Sequence, residues 1–139
     1  MHILHDTLAD LDRGTPLWFT ASAYALPAGL LGQFLLAGLA LFSNGEMWGL
    51  HAALGGLLSV PAVALLGGSL ALPRLRGFGW WAGLIVLLYG IQVALAAGSV
   101  PAALSLHPFN GALLLSSSLI LLAKVERRRA HRIGSEIMP

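Results

Sequence analysis

Residues 17–42 read LWFTASAYALPAGLLGQFLLAGLALF, a run without a single Asp, Glu, Lys or Arg. A transmembrane helix needs about 20 mostly apolar residues. In hydrocarbon every backbone amide must be bonded within the protein, so such a run predicts a helix rather than an extended segment. Three further runs meet the same criterion, at about 48–72, 78–98 and 106–123. None alternates polar and apolar residues as a barrel strand would. The links at 43–47, 73–77 and 99–105 are short, which makes consecutive helices antiparallel neighbours. The expected fold is all-α, an integral membrane up-down-up-down four-helix bundle. Its domain would span 16–125, between an N-terminal segment, 1–15, and a basic tail, 126–139. Pro27 and Pro61 are expected to kink the first two helices. Trp18, Trp48, Trp80 and Trp81 fall at helix ends as an aromatic belt, and Tyr24 and Tyr89 are expected as interface anchors.

Composition narrows the class. The 139 residues are 57% hydrophobic and only 10% charged, and the mean hydropathy is +0.80. A soluble domain carries about 25% charge, so a soluble enzyme and a disordered chain are both excluded. With no cysteine, disulfides, thiolate metal sites, iron–sulfur clusters and c-type haem attachment are excluded too. There is no phosphate-binding glycine loop, no Ser–His–acid set and no intramembrane carboxylate pair.

The net charge is +2. Arg13, Arg74, Arg76, Lys124, Arg127, Arg128, Arg129 and Arg132 all fall on one side of the expected topology, and the other two loops have none. The positive-inside rule then puts both termini in the cytoplasm. The basic tail reads as an anchor with affinity for anionic lipids rather than as a nucleic-acid site. The N-terminal segment has Asp6, Asp10 and Asp12 and no basic n-region, so no cleavable signal is expected. Ile3, Leu4, Leu8 and Leu11 share one helical face, which fits either a short surface helix docked on a partner or a loose terminus. His2, His5 and His131 are expected at the surface.

The two halves carry the same pattern. The first helix contains Gln33-Phe-Leu-Leu-Ala37, and after the loop comes His51-Ala-Ala-Leu-Gly55. The third contains Gln92-Val-Ala-Leu-Ala96, and after the loop comes His107-Pro-Phe-Asn-Gly111. A duplicated hairpin of this kind has its pseudo-twofold axis along the membrane normal, which places His51 and His107 at similar depth near the outer ends of their helices. On these motifs the chain resembles a family of small bacterial four-helix membrane proteins with a His in helices two and four, known only as a domain of unknown function. The resemblance covers about residues 17–125. It implies the fold and the topology, and no activity.

An ionisable residue inside the membrane is a functional candidate by default. Helices two and four sit diagonally across a four-helix bundle, about 11–14 Å apart if neighbours are about 8–10 Å apart. That gap suits a flat macrocycle held from both faces, so His51 and His107 are the candidate axial ligands of one haem b. Gly55 and Gly111, each one turn after a His, would let the ring approach the backbone. Gln33 and Gln92 would lie beside the haem edge, a quinone carbonyl or the ligand imidazoles, or would bond between helices. Ser59 and Ser116–Ser118 lie below the histidines as lining or packing residues. Only Asn44, Asn110 and Trp48 are on offer for the propionates.

The first functional expectation is a small b-type cytochrome passing electrons to or from a quinone or another membrane subunit, rather than a stand-alone enzyme. The alternative is a cofactor-free accessory membrane subunit in which His and Gln bind helices together. A small-molecule transporter is the weakest option, because four short helices leave little room for alternating access. Expected partners are the lipid bilayer and either other membrane subunits or further copies of the chain, with no nucleic acid.

Overall fold

The computed structural model describes residues 6–98 and 100–137. They form α1 (Leu17–Phe42), α2 (Met47–Leu57), α3 (Ser59–Ala71), α4 (Gly79–Ala97) and α5 (Pro101–Ile137), with 3-10 turns at Leu11–Arg13 and Pro73–Phe78. There is no strand among the described residues. Four helical stretches are long and apolar enough to cross a membrane: Leu17–Phe42, Met47–Ala71, Pro73–Ala97 and Pro101–Gly134. The chain thus has the character of a multi-pass membrane protein.

Proline explains the interruption of the second stretch. Pro61 has no N–H for the carbonyl of Leu57, and its ring crowds that carbonyl. The helix breaks at Leu58 and restarts at Ser59, with Ser59 Oγ donating to the Gly56 carbonyl at 2.7 Å. Pro27 is buried in α1, which runs unbroken.

The last helix departs from expectation at both ends. Pro101 is its first residue, where a missing N–H costs nothing. It then runs on through the basic segment to Ile137. Hydropathy marks only the apolar part of a helix, whereas Lys, Glu, Arg and Ala between 124 and 132 are good helix formers in their own right. His107 therefore lies in the second turn of α5 instead of at its opening.

α1 packs against α2, α3 and α5, and α4 packs against α3 and α5. The close-packed core lies toward the basic end. Phe19, Leu26, Leu65, Leu75, Phe78, Ile85, Leu114, Leu121 and Val125 are fully buried there. Phe19 and Phe78 meet with ring centroids 5.4 Å apart.

The N-terminal segment folds back on this end. Arg128 on α5 is 1% exposed. Its guanidinium donates to the carbonyls of Thr7 (2.8 Å), Ala9 (2.6 Å) and Asp10 (3.0 Å), and to Thr15 Oγ1 (3.1 Å). A buried guanidinium needs such partners, and carbonyl dipoles supply them here. Gly77 lies flat against the backbone of Asp6 and Thr7, where a Cβ would have no room. The segment expected as a surface helix or a loose end is thus a strap of turns on the chain's own tail, at least from Asp6. Ile3 and Leu4 of the expected apolar face, with His2 and His5, lie outside the described residues.

Candidate functional site

The other end of the molecule is open rather than close-packed. A cavity of about 430 Å³ lies between α1, α2, α4 and α5, a size typical of small-molecule sites at about 300–1,000 Å³. Gln33, His51, Gly55, Gln92, His107 and Gly111 all line it. Its remaining walls are mostly apolar, including Leu30, Phe34, Val93 and Leu114.

His51 on α2 and His107 on α5 are half-buried neighbours in the wall of this space. Their ring centroids are 6.2 Å apart and their planes are inclined by 55°. Trp48, one turn before His51, stands edge-on to it at 5.4 Å.

The proton positions follow from the partners. His51 Nδ1 lies 3.1 Å from the Gln33 carbonyl and His107 Nδ1 lies 3.2 Å from the Gln92 carbonyl. A carbonyl only accepts, so each Nδ1 carries the proton and donates it. A neutral imidazole then presents its Nε2 lone pair. The same arrangement, a ring N–H held by a backbone carbonyl, orients histidines that ligate metals.

The side-chain amides differ between the halves. Gln33 Nε2 donates to the main-chain carbonyl of His51 at 2.8 Å. Gln92 Nε2 donates to His107 Nε2 at 3.1 Å. Its orientation is set by Asn110, whose Nδ2 donates to the Leu88 carbonyl (2.9 Å) and to Gln92 Oε1 (2.6 Å). With its oxygen occupied, Gln92 must turn its N–H toward His107.

Two residues here escaped the sequence reading. Asn110, expected in the opening of the last helix as a candidate propionate partner, is 6% exposed and central to the polar network; because α5 begins at Pro101, position 110 lies in its third turn. Tyr89, expected as an interface anchor, lines the cavity and donates to the Gly55 carbonyl at 2.9 Å. Gly55 and Gly111 each face the glutamine of their own half: a Cβ would stand 3.5 Å from Gln33 Nε2 at Gly55 and 3.2 Å from Gln92 Nε2 at Gly111. The room each glycine leaves is thus taken by an amide. Ser116, Ser117 and Ser118 donate to carbonyls of their own helix and, like Ser59, do not line the cavity.

Among the described residues no three His, Asp or Glu side chains converge on a possible metal position. Two imidazoles on one ion, with bonds of about 2.0–2.1 Å, would have ring centroids about 6 Å apart, close to the separation of His51 and His107. The His51 Nε2 has no protein hydrogen bond among the described residues, whereas the His107 Nε2 accepts one from Gln92.

Residues 33–103 match the model of a family of unknown function, DUF6220. The matched stretch includes Gln33, His51, Gly55 and Gln92 and ends before His107. No curated protein and no solved structure matches the chain.

Proposed function

The chain belongs to that family of unknown function, DUF6220, and from this premise, which carries no activity, we propose that it is a small b-type cytochrome of the bacterial inner membrane. In this reading the four spans form an up-down-up-down bundle of two related hairpins, with both termini cytoplasmic by the distribution of Lys and Arg. His51 and His107 would hold one haem b near the outer face, each through Nε2. The observation that carries the reading is the neighbouring pair itself: two Nδ1–H imidazoles 6.2 Å apart in the wall of an apolar cavity.

Haem iron so ligated supplies one-electron chemistry. The chain's own residues would hold both imidazoles in one tautomer through the Gln33 and Gln92 carbonyls and keep bulk water from the ring with apolar walls. Ligation by His107 would cost the bond that Gln92 Nε2 donates to it. Electrons would pass between a quinone or a partner subunit and an acceptor outside, as in a subunit of a larger redox complex.

The test is a dithionite-reduced minus oxidised visible spectrum of the protein purified in mild detergent from haem-replete cells. The expected result is a low-spin b-type spectrum, lost in His51→Ala and in His107→Ala. A colourless protein ends the cytochrome reading.

One observation favours a second reading. His107 Nε2 already has a partner in Gln92, and Asn110 closes the network. A cofactor-free accessory subunit would use that network to bind α4 to α5. Under it both His→Ala variants alter stability and no visible absorption is present at all.

A further inference from the structure

The two halves of the second span are held very differently. α3 packs against both α1 and α4, whereas α2 packs on α1 and has no comparable contact with α4. α3 buries Pro61, Ala62, Leu65, Gly68 and Ser69, and α2 buries no residue. The halves meet at Leu58, where Pro61 leaves the Leu57 carbonyl without a helical donor. Gly55 and Gly56, just before the break, weaken that turn further. The span is thus a fixed inner half and a lightly seated outer half, joined at a hinge.

The bonds on α2 give the outer half a direction of movement. Gln33 ties it to α1 twice, by the Nε2 bond to the His51 carbonyl and by the Gln33 carbonyl that accepts from His51 Nδ1. The side-chain bond toward α4 is that of Tyr89, whose hydroxyl donates to the Gly55 carbonyl at 2.9 Å. Ala52, one turn before Gly55, and Val93 and Ala96, one and two turns after Tyr89, line the large cavity and are exposed. The cavity therefore has a side mouth between two helices that barely pack. All three side chains are apolar and lie within the membrane-length stretches Met47–Ala71 and Pro73–Ala97. A mouth of this kind faces acyl chains, where no water is present to pair with polar groups.

We propose that α2 is a side gate through which a mostly apolar molecule dissolved in the bilayer reaches the cavity, and that Tyr89 is its latch. The half-helix rolls on α1, about the hinge at Leu58, away from α4. Because α2 carries His51, the latch also sets the reach of that imidazole toward His107, which makes Tyr89 a positioning residue. The inference concerns how the cavity is filled, and it holds for any occupant, with or without iron.

The chain has no cysteine, so spin labels report only from the sites where they are placed. One pair, Gly49→Cys with Ala96→Cys, spans the gate; both positions are exposed, and at Gly49 an added Cβ meets nothing within 4 Å. A second pair, Val63→Cys with Leu87→Cys, spans the fixed part of the same two spans at exposed positions. Double electron–electron resonance in phosphatidylcholine bilayers reads both distances, with Tyr89 and with Tyr89→Phe, which keeps the ring and removes the hydroxyl. Gly49 stands nine residues before Leu58, about 13 Å at helical rise. A swing of about 20°, the size of a sharp kink, moves it by about 5 Å. The expected result is a component longer by about that much in the gate pair of Tyr89→Phe, with the second pair unchanged. A gate distance that ignores the substitution, or a second pair that moves as far, overturns the latch. A single label at Ala52→Cys reports what reaches the mouth. Power saturation should find it more accessible to molecular oxygen, which concentrates in hydrocarbon, than to a water-soluble nickel chelate. The reverse order means that the cavity opens to water and overturns the side gate. Neither readout needs haem, so a colourless protein ends the cytochrome reading and leaves both of these outcomes to be read.

Discussion

The two hairpins carry the same Gln, His and Gly in the same order and use them differently. In the first, Gln33 bonds the main chain of His51, and no protein hydrogen bond reaches the His51 Nε2 among the described residues. In the second, Gln92 bonds the ring of His107 and is itself held by Asn110. The residue three after the His decides the matter: Leu54 in the first half, Asn110 in the second. Leu54 packs toward the core and offers no donor, so nothing turns the Gln33 amide away from the backbone. A duplicated sequence thus gives one imidazole with an open lone pair and one that is already engaged. If a metal enters, His51 is the side that takes it without breaking a bond.

That contrast can be broken most strongly at Asn110. Asn110→Leu puts the first hairpin's residue in the second and leaves the Gln92 oxygen without its donor. We expect a loss of about 1–3 kcal/mol, from two side-chain hydrogen bonds at about 0.5–1.5 kcal/mol each, read as a lower midpoint of thermal unfolding in detergent. In haem-loaded protein the same change should ease ligation by His107 and bring the two histidines closer to equivalence. An unchanged midpoint would mean that the network contributes nothing.

A smaller effect comes from comparing the glutamines. Gln92→Leu deprives both Asn110 and His107 of a partner, whereas Gln33→Leu removes one bond to a carbonyl. Side-chain hydrogen bonds in membranes are worth about 0.6 kcal/mol on average and up to about 1.7. Gln92→Leu should therefore cost roughly twice as much as Gln33→Leu in the same unfolding assay. Equal costs would show that the halves are energetically alike despite their different bonds.

The smallest effect is at the glycines, and there the sign is the readout. Ala in place of Gly within a helix gains about 0.5–1 kcal/mol from backbone entropy. At Gly55 the new methyl meets only ordinary contact, so Gly55→Ala should raise the unfolding midpoint. At Gly111 it stands 3.2 Å from the Gln92 amide and 3.4 Å from Phe34 Cζ, so Gly111→Ala should gain less or lose. A larger gain at Gly111 would contradict the tighter packing of the second half.

Much of this was legible in the residues. Apolar runs at 17–42 and 78–98 mark helices because lipid permits little else, and α1 and α4 follow them closely. Periodicity between the halves singled out six residues that share one cavity. What escaped was everything that depends on a helix running past its apolar stretch. Asn110 read as a residue near the outer end of the last helix, because hydropathy starts that helix too late. Arg128 looked like one cation among several in a solvated tail, because charge pattern carries no sign that residues 7–15 return to cover it. Tyr89 has the composition of an interface anchor, and only its approach to the Gly55 carbonyl shows otherwise. The break before Pro61 was visible as a kink, though its place, at Leu58, follows from which carbonyl the proline crowds.

The Arg128 clamp also bears on how the molecule is made. Its partners, Thr7 to Thr15, leave the ribosome more than a hundred residues ahead of the arginine. At about 5–20 residues per second the strap waits on the order of ten seconds for its anchor. Throughout that interval the N-terminal turns have no guanidinium to close on, while four spans are being handed to the bilayer. Docking of the strap is therefore a late event that only a chain with its final helix complete can perform. A nascent chain stopped before Arg128 would be marked far from the stop, by a strap at Thr7–Thr15 that proteases can reach.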